Sequence, residues 1–374
     1  MRIGVLLQSM NETVGGIGVY TQEIVRALLE VDTANEYVLI YPGFGPAQAW
    51  LGQFRRYRNA RELVTGASRV PFETYWDQVV IPKVGDELGL DVVFNPHLSV
   101  PIRGRFGKVM VVHNVEYHTV PNVYNARMYT WWYLMEKFIM PAADRVISLS
   151  KVMTEDFRRH VKYPISQVRT IYHGVNAKFF ARPDDAHLAR IRADYDLPEH
   201  YLLFVGHLYP QKNFPVLVRA LGQVKDEIPH TLLVAGRPRY KFEADLALIA
   251  ELGLQDRVVF LNYVPNDDLP SLYRMADAFV YPSLYESFGL AQLEAMACDC
   301  PVIGANAGAI PEVTAGAALI FDPHSPDDLA QAIRRVTGDP AVRADLVAKG
   351  AVRVRDFTWE RTARETLAVF QELA

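Results

Sequence analysis

Pro282-Ser283-Leu284-Tyr285-Glu286-Ser287-Phe288-Gly289-Leu290-Ala291-Gln292-Leu293-Glu294-Ala295-Met296-Ala297 follows a short apolar run at 278–281. It reads as the end of a buried strand, a loop, and a helix beginning near Phe288. The N–H groups of Phe288, Gly289, Leu290 and Ala291 are then the orphan donors of the first turn, where a diphosphate fits. Glu286 stands in the loop before that turn, and Glu294 about two turns beyond it. Glu286 can hydrogen-bond a sugar on one side of the phosphates, and Glu294 can accept from ribose hydroxyls on the other. The plainer readings are a capping carboxylate for Glu286 and a surface helix residue for Glu294. Leu293, Ala295, Met296 and Ala297 surround Glu294, which makes a fully exposed position the weaker reading.

The same strand–loop–helix unit recurs on both sides of this stretch. Short apolar runs at 3–7, 37–41, 92–94, 108–112 and 145–149 alternate with longer amphipathic segments such as 17–29. Two further apolar runs, 79–81 and 131–140, fit packed helices. The pattern restarts after Tyr172-His173-Gly174-Val175, with strand-like runs at 201–205, 231–235, 258–261, 278–281, 302–303 and 318–321. Helical stretches at 214–227, 242–252 and 290–297 lie between them. A short strand followed by a helix, repeated, points to parallel sheets covered on both faces, here as two doubly wound α/β units.

Composition agrees with that class. The 374 residues suggest two domains, half of them are apolar, and 22% are charged. Two cysteines exclude a disulfide framework and favour a reducing compartment. The net charge of −4 argues against a nucleic-acid binder. No apolar run approaches the ~18 residues of a membrane span. Charge is uneven: residues 1–175 hold 19 Lys and Arg against 16 Asp and Glu, the remainder 20 against 27. Arg55, Arg56, Arg58, Arg61 and Arg69 cluster near Tyr57, Phe72, Tyr75 and Trp76. That cluster reads either as a solvated face or as a patch for an anionic acceptor or a membrane surface.

In doubly wound sheets ligands sit beyond the C-terminal strand ends. Three other segments fall there. Gly15-Gly16-Ile17-Gly18 follows the first strand, and reads as a tight turn or as glycine backbone open to an anion. A dinucleotide fingerprint needs a third glycine where Thr21 stands and an acidic residue near Tyr41-Pro42-Gly43, so a nicotinamide-dependent oxidoreductase is disfavoured. Gly206-His207-Leu208-Tyr209-Pro210-Gln211-Lys212-Asn213 follows the first strand of the second unit. Lys212 reads as an exposed loop lysine or as a point charge for phosphate. His207 reads as a ligand contact or a core histidine. Finally, His113-Asn114 follows the strand at 108–112.

Taken together, these residues resemble the retaining glycosyltransferases of family GT4. Glu286 and Glu294 form their E-x7-E signature, within Pro-Ser-x-x-Glu-x-Phe-Gly-Leu and Leu-Glu-Ala-Met-Ala. The Gly-Gly-x-Gly loop, Pro-Gln-Lys-Asn at 210–213, His113 and Tyr172-His173-Gly174-Val175-Asn176 follow the family pattern in order. The resemblance implies a GT-B fold, in which two Rossmann-like domains face each other across a deep cleft. It implies an acceptor domain at 1–173, joined by a returning C-terminal helix at about 357–374 that packs through Leu367, Phe370 and Gln371. The donor domain is then 174–356, with hinges near 172–176 and before the last helix. Carried over by position, Lys212 neutralises the donor diphosphate, Glu286 contacts the donor sugar and Glu294 binds the ribose. His113 lies near the reaction centre, and Gly16 and Gly18 face the phosphates or acceptor. Gly206, His207, Asn213, Phe288, Gly289, Leu290 and Ala291 complete the donor loops, and Val264 belongs to the base pocket near Gly236-Arg237 and Tyr263.

Several positions depart from the family. His207 stands where arginine is common, Gln211 replaces a loop arginine, Ser287 replaces glycine, Ala291-Gln292 stands at a common proline, and Asn114 replaces aspartate. Phosphate binding is therefore expected to rest on Lys212, the helix terminus and the glycine loop. The resemblance implies a nucleotide-sugar substrate, no tightly bound cofactor and no catalytic metal. Cys298 and Cys300 are read as packing residues. The donor leans to GDP-mannose, with a UDP-sugar as the alternative, and the acceptor is a glycan, a lipid-linked or a small-molecule hydroxyl. A nucleotide-sugar 2-epimerase and a non-catalytic nucleotide-sugar-binding protein are the other readings weighed. The expected location is the cytoplasm, with peripheral contact at the inner membrane face through Arg55, Arg56, Arg58 and Arg61 as its extension.

Overall fold

The computed structural model describes all residues except 9–15, 67–72, 114–117, 119–125, 162, 238–241 and 374. The chain divides into two compact units, Met1–Gly174 with Thr358–Ala374, and Val175–Phe357. Gly15, Arg69, Phe72 and Asn114, singled out above, lie outside the described residues.

The first unit holds a seven-stranded sheet. Its strands are β1 (Arg2–Leu6), β2 (Glu36–Tyr41), β3 (Ala60–Val64), β4 (Val92–Asn95), β5 (Gly107–Val112), β6 (Arg145–Ser148) and β7 (Val168–Thr170). The order is β3-β2-β1-β4-β5-β6-β7, and every pairing is parallel. The inner strands are apolar on both faces because helices cover both sides, which is why they read as continuous hydrophobic runs. Ala-Arg-Glu-Leu-Val and Val-Arg-Thr of β3 and β7 escape such a reading; as edge strands they tolerate charge.

Trp76, grouped above with the arginine cluster, is instead fully buried beside Leu6, Val38, Ile40, Ile81, Val93 and Phe106. Its indole nitrogen donates to Thr65 Oγ1 at 2.8 Å. Around the arginines, Arg55 faces Glu62, Arg56 faces Glu30, and Arg61 faces Glu36 at 3.2 Å. Among the described residues, no helix is long and apolar enough to cross a membrane. The run at 131–140 does form helix, Ala126–Leu134 continuing through the π-turn Met135–Ile139. It is only partly packed: Met135, Ile139 and Met140 are buried, whereas Trp131, Tyr133, Leu134 and Phe138 are exposed.

The helix Trp359–Gln371 belongs to the first unit, where it packs against the helix Gly16–Val31. Thr358 caps it by accepting from Arg361 N. Its buried face is Trp359, Thr362, Ala363, Thr366, Val369 and Phe370; Gln371, assigned to that face from sequence, is exposed and Leu367 half-buried. Glu372 ties the end of this helix to β6 and β7 through Arg145 (2.6 Å) and Arg169 (2.7 Å).

The second unit holds a six-stranded parallel sheet of β8 (Tyr201–Val205), β9 (Thr231–Ala235), β10 (Val258–Asn262), β11 (Ala278–Tyr281), β12 (Val302–Ala305) and β13 (Leu319–Phe321). Its order is β10-β9-β8-β11-β12-β13. The chain direction across this sheet reverses between β8 and β11, so the loops leaving these two strands diverge from a topological switch point, the usual place for a ligand crevice.

Candidate active site

The loop after β8 carries Lys212 and the loop after β11 carries Glu286. Although 74 residues apart, they meet because β8 and β11 are sheet neighbours. Lys212 Nζ donates to Glu286 Oε1 at 2.5 Å, and both side chains are mostly buried. The ammonium also lies 5.3 Å from the Tyr281 ring centroid. Tyr281 closes β11, and its hydroxyl is held well above the ordinary tyrosine range by burial and by the Glu286 carboxylate. The two loops are further tied by Leu284 N donating to Gln211 O at 2.7 Å.

Backbone geometry fixes Glu286. Ala309 N donates to Glu286 O at 2.8 Å. Gly308, with φ of +51°, lies against the backbone of the same residue: a Cβ there would stand 2.5 Å from Glu286 O and 2.6 Å from Glu286 N. Gly308→Ala is therefore expected to add about 1–3 kcal/mol of strain and to shift Glu286 off Lys212. Urea unfolding should show the loss of stability, and turnover should drop in protein whose circular dichroism is unchanged.

The helix bearing Glu294 spans Leu290–Ala297, the bounds of the helical stretch read at 290–297 and not the start near Phe288 read from the loop. Gly289 adopts a left-handed conformation (φ 86°) and cannot be the second residue of a right-handed helix. Phe288 and Gly289 thus belong to the loop, and the Phe288 ring is buried 5.8 Å from that of Phe357. Leu290 and Ala291 form the half-exposed first turn. Glu294 is half-buried on the next turn, with Tyr273 Oη 3.5 Å from its Oε2. Burial pushes its carboxyl up to about 7, against the Lys178 ammonium and the Tyr273 hydroxyl, which lower it.

The other donor-loop residues fall around this pair. Gly206 ends β8 at φ +144°, with Lys212 Cε 3.8 Å from where a Cβ would stand. Gly236 abuts it so closely that its own Cβ would meet Gly206 O at 1.9 Å, so both positions require glycine. His207 is half-buried rather than a core histidine, and its Nδ1 accepts from Arg237 N at 3.2 Å. The Arg237 guanidinium lies 5.4 Å from the Tyr263 ring centroid, next to buried Val264. Asn213 is left-handed (φ 53°) and donates Nδ2 to Pro323 O at 2.7 Å, which spends its amide nitrogen on loop shape. Lys178, Tyr273, Tyr281 and Gly308 are the members of this site that motif reading missed.

Within the first unit, His113 directly follows β5 and is buried. Its Nε2 lies 2.7 Å from Pro96 O; a carbonyl only accepts, so Nε2 carries the hydrogen and Nδ1 is left as an acceptor. Burial pushes its pKa down to about 3, so the ring is neutral at pH 7 and has no acid proton beyond the one given to Pro96. Tyr20, His97 and His173 surround it, at ring separations of 5.0, 6.4 and 6.2 Å. Gly16 and Gly18 form the first turn of the helix after β1, and nothing would meet a Cβ at Gly16.

Residues 14–179 match Glycosyltransferase Family 4, and residues 189–353 match Glycosyl transferases group 1. Among curated relatives, the O-antigen chain mannosyltransferase B of Escherichia coli is 28% identical over 271 residues, covering 71% of this chain and 70% of that protein. A D-inositol 3-phosphate glycosyltransferase of Salinispora tropica is 35% identical over 63% of this chain, and the match spans only about half (52%) of that relative. A solved sucrose-phosphate synthase from Thermosynechococcus elongatus superposes with a TM-score of 0.77 at 25% identity, covering 100% of this chain and 98% of that one. Two Rossmann-like units carrying these matches in order make the chain a GT-B enzyme of the GT4 glycosyltransferases, family 4 in its first half and group 1 in its second.

Proposed function

We propose that the chain moves a hexose from a nucleoside diphosphate sugar to a hydroxyl acceptor with retention at the anomeric carbon, and that GDP-mannose is the donor. The observation that carries this reading is the Lys212–Glu286 pair at the switch point of the second-unit sheet, beside the start of the helix that bears Glu294. In this reading the second unit binds the donor. The diphosphate takes Lys212 and the N–H groups of the first helical turn, Glu286 turns to the sugar hydroxyls, and Glu294 accepts from the ribose. Arg237 and Tyr263 border the base with Val264. The first unit supplies the acceptor side with Gly16, Gly18 and neutral His113, whose Nδ1 accepts from a sugar hydroxyl.

The bond from the anomeric carbon to the phosphate oxygen breaks as the bond to the acceptor oxygen forms on the same face. The acceptor proton passes to the departing phosphate. Charge on that phosphate is greatest in the transition state, so a cation held ready for it acts on the rate. The O-antigen chain mannosyltransferase relative supports a mannosyl donor and a glycan acceptor. The inositol-phosphate relative favours a small-molecule acceptor, which belongs with the second reading, a UDP-sugar donor.

A thermal-shift panel of GDP, UDP, ADP and their common sugars, with and without magnesium, tests this. A rise in Tm with the guanosine series is the expected result. A rise with the uridine series alone moves the donor to the second reading. No shift with any nucleotide overturns the donor-site assignment.

A further inference from the structure

At the opposite ends of the same strands, His200, His230 and Asp277 come together, each immediately preceding a strand, β8, β9 and β11 respectively. These three strands are consecutive in the sheet, which is what places the side chains side by side. His200 Nδ1 lies 3.2 Å and His230 Nε2 3.3 Å from Asp277 Oδ2, and Tyr201 N donates to the same oxygen at 3.1 Å. Three nitrogens thus converge on one carboxylate oxygen, which has two lone pairs. Charge-assisted nitrogen–carboxylate bonds run at about 2.7–2.9 Å, so both imidazole contacts are long for that role. They match a different geometry: ligand atoms about 2.0–2.1 Å from a tetrahedral ion stand about 3.3–3.4 Å apart.

The surroundings suit an ion as well. Arg343 Nη1 donates to Asp277 Oδ1 at 2.6 Å, which fixes the carboxylate and leaves Oδ2 as a single ligand atom. His230 is buried and His200 exposed, so the group is anchored on one side and open to solvent on the other. We propose that His200 Nδ1, His230 Nε2 and Asp277 Oδ2 form a site for a divalent transition metal, zinc by the nature of its donors, with water as fourth ligand. Both imidazoles bind as neutral rings through the named nitrogens, each keeping its hydrogen on the other nitrogen. The site joins the starts of three strands at the end of the sheet away from the donor loops, so it acts as a staple and takes no part in the transfer.

Titration of the EDTA-treated full-length chain with Zn2+ and Co2+ tests the site. Expected are one ion per chain by calorimetry, a rise in Tm, and a cobalt visible spectrum of nitrogen–oxygen ligation. His200→Ala should weaken zinc binding at least about 100-fold and leave the Tm of the metal-free chain unchanged, since His200 is on the surface; His230→Gln, checked by circular dichroism, should do the same to binding. Absence of zinc binding overturns the proposal. So does binding that survives His200→Ala, or a thiolate-to-cobalt charge-transfer band, which would place the ion on Cys298 and Cys300.

Discussion

Lys212→Met is expected to lower kcat/KM by about 10²–10³, the usual effect of removing one preorganised charge from a departing oxyanion. Methionine keeps the length and apolar body of the side chain against Tyr281, so the loss isolates the ammonium. Without donor, that ammonium is committed to Glu286 at 2.5 Å. Taking up a diphosphate therefore exchanges one anion for another, and releases Glu286 toward the sugar. It follows that Glu286→Gln should behave differently from Lys212→Met. The glutamine competes less for Lys212, so affinity for a nucleoside diphosphate stays equal or tightens, while turnover with the full nucleotide sugar falls. Ala309 N holds the Glu286 backbone, and the glutamine keeps that contact, so the loop survives the change. Calorimetric binding of the free nucleotide beside steady-state kinetics separates the two variants. Equal losses of nucleotide affinity in both would mean that the ion pair only braces the loops.

Strand positions were legible where strands are buried on both faces, because β8, β9 and β11 are uninterrupted apolar runs between polar loops. The edge strands β3 and β7 were not, since half of their surface meets no core and their charged residues break the run. The aromatic segment 131–140 shows the converse: hydrophobicity marks a helix but not what covers it, and Trp131 and Phe138 remain exposed. In the site, Glu286 and Glu294 were legible from spacing on one strand–loop–helix unit. The partnership of Glu286 with Lys212 was not, because it depends on which strands are neighbours. Gly308 acts only through the backbone it allows to pass, and Lys178 only through charge on Glu294, so neither leaves a local pattern. Of the two starts read for this helix, Leu290 holds and Phe288 does not because Gly289 is left-handed, a conformation that the letter alone does not reveal.

Glu294→Gln is expected to weaken nucleoside diphosphate binding about ten- to a hundredfold at pH 8, the range for a lost hydrogen bond to a charged group. Its signature is the pH dependence. Burial raises the Glu294 carboxyl from 4.5 to about 7, so the folded chain resists ionising it. A carboxyl with a raised folded-state pKa costs stability as pH climbs from 4.5 to 7, and that cost is constant above 7. Glutamine is spared it. The variant should therefore gain stability relative to the parent between those values, with no difference from this group below 4.5, as followed by urea unfolding. Binding runs the other way. The ionised carboxylate is the better acceptor for two ribose hydroxyls, so the parent should bind nucleotide more tightly as pH rises through about 7. The nucleotide's own phosphate titration is common to both proteins and cancels in their ratio, which should widen with pH and then level off. A ratio flat from pH 5.5 to 8.5 would place the ribose away from Glu294, and a 2′,3′-dideoxy nucleotide, which lacks the two hydroxyls, should give that flat ratio if the assignment is correct.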